Sequence, residues 1–212
     1  MIDPSVHLPR LILASQSPRR QELLKRVGLS FRVVLAEVDE RHDPKDCPRE
    51  LVLRLSLAKG AEVAKRNPGE IVISSDTVVA VDDHVLGKPK DVQEACEMLA
   101  RLSGRSHDVF TGYAFQFVST EDGSKLTFLD AQQTRVEFYP LTSEQIHSYV
   151  ASGEPMDKAG AYGIQDLGAL LVKSIQGDYF NVMGFPVARA YRDLLNFAKK
   201  HHLTSTQSPR KR

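Results

Sequence analysis

The chain has 212 residues, 42% of them hydrophobic, and a formal net charge of +1 at pH 7. This length and composition suffice for a full hydrophobic core, and the balanced charge excludes the strongly basic surface typical of nucleic-acid binders. There is no signal-peptide-like N-terminus and no segment of membrane-spanning length, and Cys47 and Cys96 have neither disulfide-framework nor metal-ligand spacing. We therefore expect a cytoplasmic protein that binds neither membranes nor nucleic acid stably.

Hydrophobic periodicity predicts alternating strands and helices. Runs of β-type residues predict strands at residues 11–14, 31–34, 71–73, 78–81, 84–86, 107–118, 125–139, 169–175 and 179–183. Apolar residues at helical spacing predict helices at residues 18–27, 49–66, 91–103, 142–151 and 187–200. Residues 74–77 are expected to form a polar tip at the end of a buried strand. The pattern predicts one α/β domain over residues 1–203, with a mixed sheet and flanking helices, and a disordered basic tail at 204–212.

The segment Ser15-Gln16-Ser17-Pro18-Arg19-Arg20 joins the first long strand to the first helix. Ser17 is a good N-cap, and Pro18 suits the first helical position because its missing N–H is not needed there. Two hydroxyls, two guanidinium groups and the positive end of a helix converge at this turn, and this combination suits an oligophosphate. Taken alone, the segment is better interpreted as an ordinary capped helix carrying two solvated arginines, because Ser-x-Ser and Arg-Arg are common and the segment is no Walker A loop.

Four charged residues elsewhere in the chain are candidates for completing such a site. Asp76 follows a buried strand core, and Glu40 lies in an acidic loop. Lys59 lies on the long helix, and Lys88 precedes a proline in a Gly-Lys-Pro turn, which restricts its backbone. Taken alone, Asp76 could equally be a strand-end cap, and solvent-exposed charge is the better interpretation of the other three residues.

The segment 154–168 is too rich in glycine for a helix and too long for a tight turn, so we expect it to wrap a ligand. Tyr162 could cover an apolar or aromatic surface. Gln165 offers both a hydrogen-bond donor and an acceptor, as a uracil or thymine ring requires. A purely structural Ω-loop is the alternative interpretation.

Five segments in this order resemble the Maf family of nucleoside triphosphate pyrophosphatases. They are LASQSPRRQELL from Leu13, Asp39-Glu40, SSDTVV from Ser74, Gly87-Lys88-Pro89 and GEPMDKAGAYGIQDLG from Gly153. Together they extend over nearly the whole chain. The resemblance implies a Maf/ITPase-like domain with two lobes around a central cleft, and GIQDLG from Gly163 is similar to the branch that hydrolyses dTTP and UTP.

The resemblance also implies roles in catalysis. Asp76 matches the proposed general base, and Glu40 matches an acidic residue that supports metal or substrate binding. These two carboxylates would hold a divalent cation, Mg²⁺ by preference with Mn²⁺ as a substitute. Lys59 and Lys88 match lysines assigned to the phosphates and to catalysis.

For substrate binding, Ser15, Arg19 and Arg20 match the phosphate-binding turn of the family. Arg19, Thr77 and Gln165 match positions linked to base specificity. The implied activity is metal-assisted attack of water on dTTP, UTP or modified pyrimidine nucleotides, giving the monophosphate and pyrophosphate. A homodimer is expected from the resemblance alone.

Two alternatives to this activity stay open. One is a nucleotide- or nucleic-acid-binding regulator of cell division without turnover, and the other is a pyrophosphatase acting on 7-methyl-GTP. The joint presence of the two carboxylates and two lysines named above favours an enzyme, because a binding module needs no carboxylate facing a polyanion.

Overall fold

The computed structural model describes residues 6–41, 43, 45–82 and 84–206, which form nine strands and six α-helices. The strands are β1 Val6–His7, β2 Leu11–Leu13, β3 Phe31–Val33, β4 Ile71–Val81, β5 His84–Leu86, β6 Ser106–Val118, β7 Lys125–Phe138, β8 Val172–Gln176 and β9 Ser205–Thr206. The α-helices are α1 Pro18–Arg26, α2 Pro48–Arg66, α3 Val92–Leu102, α4 Ser143–Ala151, α5 Tyr179–Val182 and α6 Val187–Lys200. Three short 3₁₀ helices lie at Glu154–Asp157, Ala159–Ala161 and Asp166–Leu170.

Seven strands form one mixed sheet of order β3-β2-β4-β6-β7-β8, with β5 paired to β4. β2 is parallel to both β3 and β4, whereas the pairs β4–β6, β6–β7 and β7–β8 are antiparallel. The predicted α/β class with a mixed sheet is confirmed. On the side of β4 opposite β6, β2 pairs with residues 71–73 and β5 with residues 79–81, so residues 74–78 face no strand there within the described chain.

The predicted polar tip at residues 74–77 is wrong, because β4 continues through it as one strand. Serine and aspartate are weak strand formers, but β6 pairs with every residue from Val72 to Ala80 and continues the ladder across them. Asp76 therefore lies in the middle of a long strand. It still lies past the end of β2, which stops at Leu13.

The strand predicted at residues 179–183 is also wrong, since these residues form helix α5. The Asp178 side chain caps this helix by accepting a hydrogen bond from the Phe180 N–H at 2.8 Å. Within the helix, the fully buried Asn181 donates to the carbonyl oxygen of Val109 at 3.0 Å and to Thr134 Oγ1 at 3.1 Å. Local capping and tertiary hydrogen bonds therefore override the β propensity of this segment.

Side-chain caps set the starts of α1, α3 and α4 close to their predicted positions. Ser17 Oγ accepts from the Arg20 N–H, and Thr142 and Gln145 form a complete capping box. In α3, Asp91 Oδ1 accepts from the Glu94 N–H at 2.8 Å, and the Glu94 carboxylate accepts from the Lys90 N–H at 2.7 Å. In a complete capping box Glu94 would accept from the N–H of Asp91 itself, so this second bond is displaced by one residue.

Two large hydrophobic clusters form the core. One contains Leu24 of α1 and Leu194 of α6 against β2, β4 and β6, and the other contains Leu99 of α3 and Tyr149 of α4 against the far part of the sheet. Full burial of such a leucine stabilises the fold by about 1.5–3 kcal/mol. Members of both clusters line the cleft described below, as two lobes around a cleft require.

The two chain ends meet in a short antiparallel pair, β1 with β9. Residues 205 and 206 of the predicted tail form β9, and residues 207–212 lie outside the described residues. The domain boundary at 203 and the disordered tail stay predictions. His42 and Pro44 of the predicted acidic loop and Asp83 of the predicted hairpin turn also lie outside them. No helix in the described ranges combines the length and hydropathy needed to cross a membrane.

Candidate active site

A cleft of about 530 Å³ opens beside residues 74–78 of β4, within the size range of small-molecule sites. All nine site residues predicted from the sequence line it: Ser15, Arg19, Arg20, Glu40, Lys59, Asp76, Thr77, Lys88 and Gln165. They come from the β2–α1 turn, the acidic loop, α2, β4, the turn after β5 and the glycine-rich segment. Such convergence is required for their predicted roles.

Arg20 is held by three hydrogen bonds at the floor of the cleft. Its guanidinium donates to the carbonyl oxygen of Gly184 at 2.8 Å, to Ser15 Oγ at 3.1 Å and to Thr77 Oγ1 at 3.0 Å. Burial lowers the pKa of this guanidinium, and the neighbouring Asp76 carboxylate opposes that shift. Arg20 is therefore a fixed charge with three of its donors already committed.

Arg19 differs from Arg20 because it points across the cleft mouth. Its Nη1 forms an ion pair with Asp157 Oδ2 at 3.0 Å, and Lys158 Nζ contacts the other oxygen of that carboxylate at 2.8 Å. Burial alone would raise the pKa of Asp157, but Lys158 and Arg19 together lower it. The pair is partly open to solvent, because the side chain of Arg19 is 25% exposed and that of Asp157 is 56% exposed.

Asp76, Lys59 and Glu40 form a charged triad in the same cleft. Lys59 Nζ lies 2.6 Å from Asp76 Oδ1 and 2.8 Å from Glu40 Oε2. Asp76 is 8% exposed and Lys59 9% exposed, whereas the side chain of Glu40 is 58% exposed. One ammonium group thus contacts two carboxylates in a cleft whose other charged lining residues are Arg19, Arg20, Lys88, Asp157 and Lys158.

Two glycines allow α2 to lie close enough to the sheet for this contact. A Cβ at Gly60 would lie 2.5 Å from Ser74 Oγ, and a Cβ at Gly112 of β6 would overlap the carbonyl oxygen of Val52. Ser74 Oγ also donates to the carbonyl oxygen of Ser56 at 2.7 Å, which ties β4 to α2. This close approach brings Lys59 within reach of Asp76.

The carboxylates of Asp76 and Glu40 have the donor chemistry of a hard divalent cation. Both lie within 3 Å of one point, the Lys59 Nζ, so both can reach a shared cation. Over the described ranges, no group of three or more histidine, cysteine, aspartate or glutamate side chains could hold a metal. Two protein carboxylates with the remaining ligands from water and phosphate is an arrangement that Mg²⁺ accepts.

The glycine-rich segment closes the cleft beside Lys88. The Gly160 N–H donates to the carbonyl oxygen of Gly87 at 3.0 Å, and Gly160 has a φ of +68° with Val79 packed against it. The Lys88 ammonium and the Gln165 carboxamide make no hydrogen bond or ion pair with any described residue. Both groups are thus available to a ligand.

Tyr162 lines the cleft and is at the same time packed against aromatic residues of the protein. Its hydroxyl pairs with Nε2 of His107 at 2.7 Å, and its ring packs edge-on against His107 and Phe138. Burial raises the pKa of Tyr162 and lowers the pKa of His107 to about 4. The apolar surface that Tyr162 covers belongs to the protein itself.

Sequence reasoning included Glu154, Asp157 and Lys158 in the segment expected to wrap a ligand but assigned none of them a role of its own. Asp157 and Lys158 line the cleft, and Glu154 hydrogen-bonds the backbone of the glycine-rich segment. The available signal was three charged residues within five positions directly before a run of glycines. Their partners are distant in sequence, so the contacts could not be predicted.

Comparison with solved structures gives similarity to two HAM1 proteins. That of Coxiella burnetii has a TM-score of 0.47 at 13% identity, covering 90% of this chain and 98% of that chain. That of Staphylococcus aureus has a TM-score of 0.45 at 13% identity, covering 91% of this chain and 99% of that chain.

Sequence comparison gives much closer similarity. A dTTP/UTP pyrophosphatase of Symbiobacterium thermophilum is 53% identical over 190 residues, which are 90% of this chain and 95% of the relative. A dTTP/UTP pyrophosphatase of Bacillus cytotoxicus is 46% identical over 190 residues, which are 90% of this chain and 96% of the relative. The family model described as Maf-like protein matches residues 10–197. With most of its length matched in both ways, the chain belongs to the Maf family.

Proposed function

We propose that the protein is a nucleoside triphosphate pyrophosphatase that hydrolyses dTTP and UTP to the monophosphate and pyrophosphate. The names of the relatives at 45–53% identity support this activity. The observation that carries it is the placement of the Arg19–Arg20 turn and the Asp76–Lys59–Glu40 triad in one cleft. A polyanion binds at the first feature, and the second supplies a carboxylate next to it.

The triphosphate binds at the start of α1 in this proposal. Arg19 exchanges its Asp157 partner for a phosphate oxygen, and Lys88 approaches from the opposite side. The first-turn N–H groups of α1 and the positive end of the helix add to the attraction. Arg20 contributes its positive charge without exchanging its partners, because its hydrogen bonds hold it to Gly184 and Thr77.

Asp76 acts as the general base in the hydrolysis. A water proton passes to its carboxylate while the water oxygen bonds to one of the two phosphorus atoms of the α–β anhydride. The bond from that phosphorus to the bridging oxygen breaks, and this oxygen leaves with the other phosphate group. Lys59 orients the Asp76 carboxylate through their 2.6 Å contact. Lys88 and Arg19 stabilise the negative charge on the pentacoordinate phosphorus, which is the larger catalytic contribution.

Asp76 and Glu40 are the proposed holders of a Mg²⁺ or Mn²⁺ ion. When bound, such an ion would offset the charge of the triphosphate and polarise the attacked phosphate. Lys59 contacts both carboxylates, so its ammonium has to shift when they take a cation.

Gln165 is the proposed base-recognition residue. Its carboxamide can accept a hydrogen bond from the N3–H of uracil or thymine and donate to a ring carbonyl. Thr77 contributes indirectly, because its hydroxyl accepts from Arg20 and pairs with Thr111 at 3.0 Å. We therefore propose that Thr77 positions Arg20 and does not contact the base.

The proposed partner is a nucleotide, and the proposed location is the cytoplasm. Cys47 and Cys96 are both free thiols, as in proteins of reducing compartments. A homodimer is proposed from family membership alone.

Steady-state hydrolysis of UTP, dTTP, CTP, GTP and 7-methyl-GTP, with inorganic pyrophosphatase added to release phosphate, tests the function. We expect the highest kcat/KM for UTP and dTTP, and loss of turnover on chelation of divalent cations. Binding of nucleotides without turnover would support a regulator, and preference for 7-methyl-GTP would support the other branch of the family.

A further inference from the structure

We propose that Glu154 is a positioning residue for base recognition, whose carboxylate fixes the segment 163–168 that carries Gln165. The inference rests on the proposed function, in which Gln165 contacts the base. Glu154 does not line the cleft. Any effect of Glu154 on substrate choice must therefore act through the backbone that it holds.

The Glu154 carboxylate accepts three hydrogen bonds from its surroundings. Its Oε2 accepts from the Leu167 N–H at 3.1 Å, and its Oε1 accepts from the Gly168 N–H at 3.2 Å and from the Tyr149 hydroxyl at 2.9 Å. Hydrogen bonds to an ionised acceptor are roughly twice as strong as neutral ones. The carboxylate thus fixes the C-terminal end of the segment with both of its oxygens.

The N-terminal end of the segment is hydrogen-bonded to Tyr149, whose hydroxyl also donates to Glu154. The Tyr149 hydroxyl accepts from the Gly163 N–H at 3.1 Å, and Tyr149 is anchored in the core with only 6% exposure. A Cβ at Gly168 would overlap the carbonyl oxygen of Gly163, so the two ends touch. Gln165 lies between them in a loop that Glu154 and Tyr149 close at its base.

The backbone of this region adopts conformations that need such support. Asp166, next to Gln165, has a φ of +51°, and Ala161 has a φ of +58°. Residues with a side chain seldom adopt these angles, which persist where surrounding contacts enforce them. Loosening the bonds to Leu167 and Gly168 would allow Asp166 to relax and would turn the Gln165 side chain away from its position.

Substitution of Glu154→Gln removes this support at nearly constant volume. One carboxylate oxygen becomes an NH₂ group, which cannot accept from a backbone N–H, so at least one of the amides loses its acceptor. UTP and CTP carry the same phosphates and differ at N3 and C4 of the base. Their kcat/KM ratio therefore measures base recognition separately from phosphate binding.

We expect Glu154→Gln to lower the UTP:CTP ratio by about tenfold, with most of the effect in KM and kcat within about threefold of wild type. Tyr149→Phe should change the ratio in the same direction. The matched control is Glu121→Gln, an exposed glutamate in the β6–β7 turn, which should leave the ratio unchanged.

A double-mutant cycle with Gln165→Ala tests whether Glu154 acts through Gln165. If it does, adding Glu154→Gln to Gln165→Ala leaves the UTP:CTP ratio where Gln165→Ala alone puts it. Effects on the ratio that multiply in the double variant would overturn the inference, because Glu154 would then act independently of Gln165.

Hydrogen exchange provides a measurement that does not depend on turnover. Glu154→Gln should accelerate exchange of the Leu167 and Gly168 amides and leave those of β4 unchanged. If the wild-type protein hydrolysed no triphosphate, the proposed function would be overturned. The inference would then be decided by comparing the dissociation constants of the α,β-imido analogues of UTP and CTP. A wild-type ratio and wild-type exchange in Glu154→Gln would overturn the inference alone.

Discussion

Individual side chains in the cleft divide into those already held by the protein and those available to a ligand. Arg20 has three hydrogen bonds to the scaffold, whereas Gln165 and Lys88 have none to described residues. Adjacent residues can therefore have different functions. We propose that Arg19 exchanges its ion pair with Asp157 for a phosphate, whereas any movement of Arg20 would break its three hydrogen bonds to the protein.

Gln165→Glu should shift the relative base preference of the enzyme towards guanine nucleotides. A carboxylate can only accept hydrogen bonds, so it would face a uracil or thymine carbonyl with a negative charge. We expect kcat/KM for UTP and dTTP to fall by at least about tenfold, and the relative preference for GTP and 7-methyl-GTP to rise. Equal losses on all four nucleotides would show that Gln165 supports the loop and does not contact the base.

His107 makes the stability of the fold depend on pH. Burial lowers its pKa from 6.5 to about 4, and its Nδ1 is buried without a hydrogen-bond partner among described residues. The unfolded chain therefore binds the proton first, and the stability that neutral His107 contributes is complete above about pH 6.5 and is lost as the pH falls towards 4.

Urea unfolding at about pH 7.5 and about pH 5 measures this effect. We expect the wild-type free energy of unfolding to fall by about 2 kcal/mol more than that of His107→Gln between the two pH values. The same pH dependence in both proteins would show that other groups govern it.

At this scale the sequence predicts residue types better than residue partners. The nine predicted site residues all reached the cleft because the motif segments are short and rigidly joined to strands or helices. The Arg19–Asp157 and Lys59–Glu40 pairs were not predictable, because each joins residues that become neighbours only through the packing of separate elements.

Among the elements, the packing of α2 against the sheet controls the geometry of the charged triad. Gly112 lies under the α2 backbone, where a side chain would overlap the Val52 carbonyl oxygen. Gly112→Ala should therefore push α2 outward and move Lys59 away from Asp76. We expect a loss of about 1–3 kcal/mol in stability together with lower kcat.

Thermal unfolding and steady-state kinetics of Gly112→Ala test this packing. An unchanged melting temperature with wild-type kcat would contradict the close approach of α2 to β6. Reduced stability with wild-type kcat would show that the triad tolerates displacement of the helix.

Most elements follow from local signals, and the exceptions have tertiary causes. Ser17 and Thr142 are residue types that favour the N-cap position, and the N-terminal ends of the helices they cap were predicted to within one residue. The extension of β4 through Asp76 depends on pairing with β6, and α5 depends on the buried bonds of Asn181. Neither of these influences is visible in the neighbouring residues.

Across the whole molecule, the mixed sheet supplies the site by leaving part of one strand uncovered. β2 and β5 pair with opposite ends of β4, and the gap at residues 74–78 exposes Asp76 and Thr77 to the cleft. The net charge of +1 gives no indication of this site, because the cationic turn and the carboxylates compensate each other. The function therefore follows from local charge placement.

Asp76 is the proposed general base for cleavage between the α and β phosphates. Phosphorus NMR of dTTP turnover tests this role and identifies the bond that is cleaved. We expect wild-type protein to give dTMP and pyrophosphate in equal amounts, and Asp76→Asn to lose at least about 100-fold in kcat because the amide is no base. The variant should stay folded, since Lys59 retains Glu40 as a partner. Release of dTDP and orthophosphate, or wild-type turnover by a folded Asp76→Asn, would contradict the claim.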